Sequence, residues 1–514
     1  MSLRTLLAAA LAFSFAVACT KTADTAATST GAQVEAVQQP IAPTQPQAAA
    51  APGSQPDVMT LKRPVGGEWM GLYLQGKKAG WAFTDVKSAT FEGQPAVETI
   101  SDVALSATIG GAKTERQMHE ERYYQPRNGG LLVGVQIDKT GDGGEEHIHG
   151  VRKGDQLELT ITRPGRAAET RTMPASAETI DEADAPRLAL AKHIKVAGKA
   201  FDEDDLVDKG ISTEVTTPST VVNAGVTVKV VRTVTIDDKD KLPTTISFDD
   251  QGRTVDARFG EPPVMVGKAE PEATAKKLEE VDLFALTRVV LNRAPEQAAF
   301  GDHPTLTMKV KGLPKEFQKD ASRQSYAPAP DGETLITISG HPPKANVSRP
   351  VKSTPELKEW LEPTRQVESN DPAIASTAKA VVGPETDAWI AAQKLSHWVN
   401  QTLTKAYGAS SDRASDVLAR KTGDCTEHAL LFTAMARAEG IPARRVDGLV
   451  YMGVDGQPPA LYWHEWAEVW VGEWIAIDPT FDESIADATH LALGEEGRAD
   501  SAALIGQLAI TVAK

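Results

Sequence analysis

The chain has 514 residues, 41% of them hydrophobic and 24% charged, enough for about three domains with separate cores. Its 54 Lys and Arg stand against 70 Asp and Glu, a formal net charge of −16; no basic stripe is interleaved with aromatics, which excludes the phosphate attraction on which nucleic-acid binding rests. Two cysteines, Cys19 and Cys425, in unrelated contexts, exclude a disulfide framework.

Residues 1–18 read as a signal peptide. Arg4 and the initiating amine form a short positive region, and the apolar run Leu6 to Val17 falls short of the roughly 20 residues a spanning helix needs. Ala16-Val17-Ala18-Cys19 resembles a lipobox, with Ala16 where Leu is usual. That resemblance implies cleavage before a diacylated Cys19; ordinary cleavage after Ala18, with Cys19 a bystander, is the alternative. Thr20 after a lipidated cysteine implies sorting to the outer membrane, so the expected location is the periplasmic face of the cell envelope, with the membrane a partner through the anchor. Residues 20–57 are nearly all Ala, Thr, Gln, Pro, Ser and Gly, too poor in apolar area to offset chain entropy, and read as a disordered tether.

Between residues 58 and 266 the apolar period is two, as in Val226, Val228 and Val230, which predicts strands. Turn signals such as Gly76-Lys77-Lys78 and Gly141-Asp142-Gly143-Gly144 connect them as hairpins, so a large antiparallel β domain is expected. Glu270 to Ala285 predicts a bridging helix, and residues 283–350 a smaller β domain in which Leu306, Met308 and Val310 alternate with polar neighbours. Asp138 to His149 carries part of a calcium-loop pattern but lacks its closing Glu and lies between strands, so it reads as a hairpin turn. His147 and His149 share a strand face without a third ligand nearby and read as exposed strand histidines. The acidic run Asp202 to Asp205 reads as a solvated loop. No metal or cofactor is expected.

From residue 366 onward the chain predicts an α+β domain, giving a multidomain protein with a β-rich N-terminal half. An apolar stripe through Trp389, Leu395 and Val399 marks a helix. Gly423-Asp424-Cys425-Thr426-Glu427 starts another, with Asp424 as N-cap and Glu427 in capping-box spacing. Gly440-Ile441-Pro442 ends it. Cys425 then lies in the first turn, where the helix dipole lowers a thiol from its ordinary pKa of about 8.5. His428 reads as a surface residue of this helix. Downstream, Tyr462 to Trp470 and Trp474 to Thr480 form a β-hairpin. With Val471 to Glu473 as its loop, Trp470 faces Trp474 and Trp466 faces Asp478, so His464 and Asp478 lie diagonally on one face, close enough for an imidazole–carboxylate hydrogen bond.

These residues predict a thiol triad: Cys425 attacks an amide carbonyl, His464 takes and returns the proton, and Asp478 orients the imidazole. The N–H of Cys425 is one candidate oxyanion donor; Tyr407 and the helix's next N–H are candidates for a second. A metal site on the same three residues is chemically feasible, but their order and spacing fit the triad better. Glu468 shares the His464 face and is a further candidate for the site. Trp466, Trp470 and Trp474 read as packing residues, and Arg444 as paired to a carboxylate.

Gly423-Asp424-Cys425, Gly440-Ile441-Pro442-Ala443-Arg444, His464-Glu465-Trp466-Ala467-Glu468-Val469 and Ile477-Asp478-Pro479-Thr480, in this order, resemble the transglutaminase-like superfamily. The resemblance implies a papain-like fold with Cys425 as nucleophile, His464 as base and Asp478 as orienting acid. It further implies acyl transfer, deamidation or hydrolysis of a protein or peptide substrate. A non-catalytic envelope protein using this fold as a scaffold is the alternative.

Overall fold

Alternating burial builds the first half of the molecule. The strand Gln156–Thr162 shows it plainly, burying Leu157, Leu159 and Ile161 while the residues between face outward. The computed structural model describes residues 57–513 except 110, 142–143, 204–205, 224–225, 238–242, 319–322, 407–412 and 497–500. Cys19, the signal peptide, residues 20–56 of the tether and Tyr407 lie outside the described residues; Asp57, expected to end the tether, instead opens the short helix Asp57–Thr60 and pairs with Lys192.

Strands Glu68–Leu74, Lys77–Phe91, Gln94–Ile109, Ala112–Tyr124, Leu132–Gly141, Gly144–Lys153, Gln156–Thr162 and Glu169–Pro174 (β1–β8) form a meander in which each pairs antiparallel with the next. Strands Val196–Asp202, Val207–Val215, Ser219–Asn223, Val226–Asp237, Thr244–Phe248, Thr254–Phe259 and Met265–Ala269 (β9–β15) extend the same sheet, β15 pairing with β1. The sheet curls on itself, because Arg122 of β4 reaches Glu178 Oε2 (2.7 Å), Phe201 O (3.0 Å) and Glu203 Oε2 (2.9 Å) beside β9. Asp202 and Glu203, expected in a solvated loop, are buried; Asp202 pairs with Lys209 and Glu203 with Arg122.

The bridge over residues 270–285 is not one helix but two short ones, Glu272–Ala275 and Leu283–Thr287. Its middle spends its backbone on the large sheet instead. Glu279 N–H donates to Lys78 O at 3.0 Å, and Val281 O accepts Thr108 N–H at 2.7 Å.

Strand Val289–Val290 (β16) joins the C-terminal sheet, while Thr305–Lys311, Gln324–Pro328 and Thr334–Ser339 (β17–β19) form a smaller one. Beyond them lie helices Pro372–Val382, Ala388–Thr402, Ala414–Arg420 and Cys425–Ala438. The short parallel pair Thr404–Lys405 and Thr422–Gly423 (β20, β21) runs between them, and strands Ala443–Met452, Ala460–Trp470, Trp474–Ile477, Leu491–Glu495 and Ala509–Val512 (β22–β26) follow. Pairing crosses the boundary expected between 283–350 and 366–514: β16 pairs with β23, and β26 completes the small sheet beside β17. One hydrophobic core accordingly contains Leu72 and Phe259 of the large sheet, Met308 and Ile338 of the small one, and Leu461 and Trp463 of β23. A second core packs the helices against Ala467, Val469, Ile475 and Ile477. Among the described residues no helix is long and apolar enough to cross a membrane.

Candidate active site

The helix carrying Cys425 is fixed at both ends by local chemistry. Asp424 Oδ1 accepts the Thr426 N–H at 3.1 Å, and Glu427 Oε2 accepts the Asp424 N–H at 2.9 Å, a reciprocal capping box. At the other end Ile441 N–H donates to Ala436 O at 3.0 Å. Gly440 there adopts φ 71°, a left-handed turn that glycine enters without steric cost. Burial, reinforced by the adjacent Glu427, raises the Asp424 carboxyl well above its ordinary range.

Cys425 is buried, and every residue from Glu427 to Arg437 is buried with it. His428 is therefore not the surface residue expected. Its Nδ1 donates to Asp424 O at 2.6 Å, its Nε2 has no hydrogen-bond partner, and burial holds it below the usual histidine pKa. The near absence of charge between Glu427 and Arg437 was the available signal, since a helix apolar on all sides is a buried one. The Thr426 N–H, one expected oxyanion donor, is already committed to Asp424.

The hairpin has the register that a Val471–Glu473 loop imposes. Trp470 faces Trp474 and Ala467 faces Ile477, and the Val471 N–H closes the loop on Glu473 O at 3.0 Å. His464 and Asp478 are both fully buried, and His464 Nε2 lies 2.7 Å from Asp478 Oδ2. A carboxylate can only accept, so Nε2 carries the hydrogen and Nδ1 keeps its lone pair. Nδ1 has no hydrogen-bond partner. The structure thus joins two of the three expected residues directly, and Cys425 is not hydrogen-bonded to the imidazole in this state. His428, one turn after Cys425, lies near enough to both His464 and Asp478 to feel their charges.

Asp478 holds more than the expected partner. Its Oδ1 accepts the N–H groups of Thr480 (2.6 Å) and Phe481 (3.2 Å), and its Oδ2 also accepts from His490 Nε2 at 3.1 Å. His490 was missed by sequence reasoning: it lies in an irregular stretch between β24 and β25, where no periodicity or motif marks it. Burial alone would raise the Asp478 carboxyl, but His464 and His490 together hold it well below the usual carboxylate range. Burial depresses His464 despite the attraction of Asp478, and the His490 charge adds to the depression. The Phe481 ring stacks on His464 with centroids 4.7 Å apart and 15° between planes, and Trp466 lies on its other neighbour His490 edge-on at 5.1 Å.

His464, Asp478 and His490 present ligand atoms within 4.8 Å of one another, as do Glu483, Asp487 and His490. The donors do not fit a metal. His490, common to both groups, faces oxygen acceptors with both nitrogens, whereas ligation needs a lone pair on it. Glu468 is not part of the pair: Arg444 Nη2 donates to its Oε2 at 2.7 Å. Arg444 also lies 4.1 Å over the Trp474 ring, which meets Trp470 edge-on at 5.8 Å. His147 is exposed and bonds Asp138 Oδ1 at 2.7 Å across the β5–β6 hairpin.

Residues 375–479 match the family model of the transglutaminase-like superfamily, and this part of the chain is a transglutaminase-like domain. Among solved structures, one similar chain is described as a candidate cysteine protease from Cytophaga hutchinsonii, with 14% identity over 44% of this chain and 82% of that one, at a TM-score of 0.28. A beta-barrel-like protein of a domain of unknown function from Brucella abortus is 13% identical over 40% of this chain and 94% of its own, also at 0.28. A candidate protease from Parabacteroides distasonis is 12% identical over 65% of this chain and 64% of its own, at 0.18. No curated protein matches the chain.

Proposed function

We propose that the protein is a cell-envelope thiol enzyme that acts on amide bonds of a protein or peptide through an acyl-enzyme on Cys425. The observation that carries this reading is the buried His464–Asp478 hydrogen bond with His464 Nδ1 left open, in a domain whose central helix begins at Cys425. The Cys425 sulfur adds to the carbonyl carbon as its proton passes to Nδ1. The amine then leaves with that proton and a thioester remains. Water or a second amine resolves it, the same nitrogen taking and returning the proton. Asp478, ionised and held by four N–H donors, orients the ring and stabilises its charged form. Catalytic hydrogen bonds are often long before substrate arrives, so a Cys425–His464 contact formed on binding is part of the proposal. Lipidation at Cys19 and an outer-membrane, periplasm-facing location complete it.

A second reading, a non-catalytic binding protein on the same scaffold, is favoured by the burial of Cys425, His464 and Asp478 alike among the described residues. The two readings part on thiol reactivity. In a Cys19→Ser chain, where Cys425 is the single thiol, iodoacetamide alkylation followed by mass spectrometry should be fast well below pH ~8, and His464→Ala should slow it about tenfold or more at pH 7. Free-thiol behaviour in both chains sinks the enzyme reading and leaves the scaffold.

A further inference from the structure

His490 has an acceptor at each ring nitrogen. Nε2 lies 3.1 Å from Asp478 Oδ2; Nδ1 lies 3.1 Å from Asp487 Oδ1 and 3.2 Å from Asp487 O. Neither carboxylate has room for a proton on the oxygen concerned. Asp478 Oδ2 already takes the His464 N–H, and Asp487 Oδ1 already takes the N–H (2.8 Å) and hydroxyl (2.6 Å) of Thr489. A ring with two acceptors and no donor must carry hydrogen on both nitrogens, which makes it a cation.

We infer that His490 is a positioning residue, a buried imidazolium clamped between Asp478 and Asp487 that fixes the carboxylate under His464 and draws on its charge, so that His464 rests as a neutral base. The inference rests on the thiol-enzyme reading for its chemical purpose, but the clamp itself is a property of the His464–Asp478–His490–Asp487 chain. A carboxylate shared between two imidazoles satisfies one cation fully and stabilises a second less. His464 is then held ready to accept the proton of Cys425 rather than holding one already.

The charged neighbours agree. Asp478, Asp487 and Glu483 face His490, and against the opposing effect of burial they push it up to about 10. Arg323 reaches the same loop, donating to Ala486 O at 3.0 Å and to Asp487 O at 2.5 Å. His428, the other imidazole near the pair, is held below the usual histidine pKa by burial.

The test follows ring nitrogens by NMR in the full chain with Cys19→Ser and 15N-labelled histidine. At pH 7.5 a fully buried histidine should show both nitrogens protonated, a signal that His490→Gln removes while leaving that of the part-exposed His119, which lies between Asp102 and Glu121. The same substitution should raise the His464 midpoint by about one pH unit, a tenfold change in acid concentration, and carry the acid limb of Cys425 alkylation with it. A purely structural role predicts neither shift. Should His490→Gln fail to fold, Asp487→Asn keeps the ring and removes its second carboxylate, and should lower the His490 midpoint. A neutral His490 at pH 7.5, a His464 midpoint that ignores His490→Gln, or a His490 midpoint that ignores Asp487→Asn overturns the clamp. Free-thiol behaviour of Cys425 with both NMR results intact overturns the thiol chemistry and leaves the clamp standing.

Discussion

Asp478 accepts four N–H donors, two from imidazoles and two from the backbone of Thr480 and Phe481. Removing it strands a buried cation at His490, and loss of one partner of a buried pair costs about 3–5 kcal/mol. Asp478→Ala should therefore lower stability by that order in urea unfolding, beyond any loss of activity. The pH dependence follows from the same contacts. His490 is raised in the folded state, so the stability it contributes is complete below its ordinary pKa near 6.5 and is lost as pH rises through about 10. Asp478 is lowered, so its share is present above the ordinary carboxylate pKa and lost as pH falls through its folded value. The melting temperature should fall between pH 7 and 10, and His490→Gln should flatten that limb; a fall of equal size in the variant would refute the assignment. The His464–Asp478 contact was legible because strand alternation and a three-residue loop fix which residues share a face. His490 was not, because it lies in an irregular stretch with no period to mark it although Asp487 and Asp478 are only 3 and 12 residues away, and neither was Glu203, whose partner Arg122 is 81 residues away.

Strand pairing explains why one glycine matters. Gly448 of β22 stands opposite His464 in the ladder, and β25, which begins directly after His490, passes on its other side. A Cβ at Gly448 would meet Leu491 O at 2.0 Å and Leu491 C at 3.0 Å. Backbone cannot swing aside as a flexible side chain can, so β25 would have to move and carry His490 with it. Gly448→Ala should cost on the order of 1–3 kcal/mol, as overpacking does, and disturb the His490 ring signals more than those of the exposed His147. The same strands show what sequence could supply at this scale. Alternation and turn chemistry placed the hairpin and the capped helix. The expected 270–285 helix was lost because the strand ends at Lys78 and Thr108 offered its backbone other partners, and tertiary pairing outweighs helix propensity.

The large sheet and the transglutaminase-like domain meet along an ionic seam. Glu146 accepts from Arg163 Nε at 2.8 Å and from Arg365 Nη2 at 2.9 Å, Arg166 pairs with Asp416, and Arg413 lies 3.6 Å from Glu169. These pairs hold the tips of β6 to β8 against the helix Ala414–Arg420, five residues before Cys425. Glu146 is half of two cross-connected pairs and is itself largely buried. Glu146→Ala should destabilise the chain by about 3 kcal/mol and raise the rate of Cys425 alkylation as the seam loosens. An unchanged rate would mean that the seam does not govern access. Two β units and an α+β domain could be read from composition and period. Their fusion through one core could not, because periodicity says that a face is buried without saying against what.

The small sheet also sets an order of events in folding. Asn292 Oδ1 accepts the Val512 N–H at 2.8 Å, 220 residues along the chain, and β26 covers an edge of β17 that nothing nearer in sequence covers. Contacts this distant form late, and until they do, the alternating apolar edge of β17 is an open template for another chain. A strand of four residues thus decides how long that edge stays open to self-association, and a short peptide mimicking residues 509–512 is the natural competitor for it.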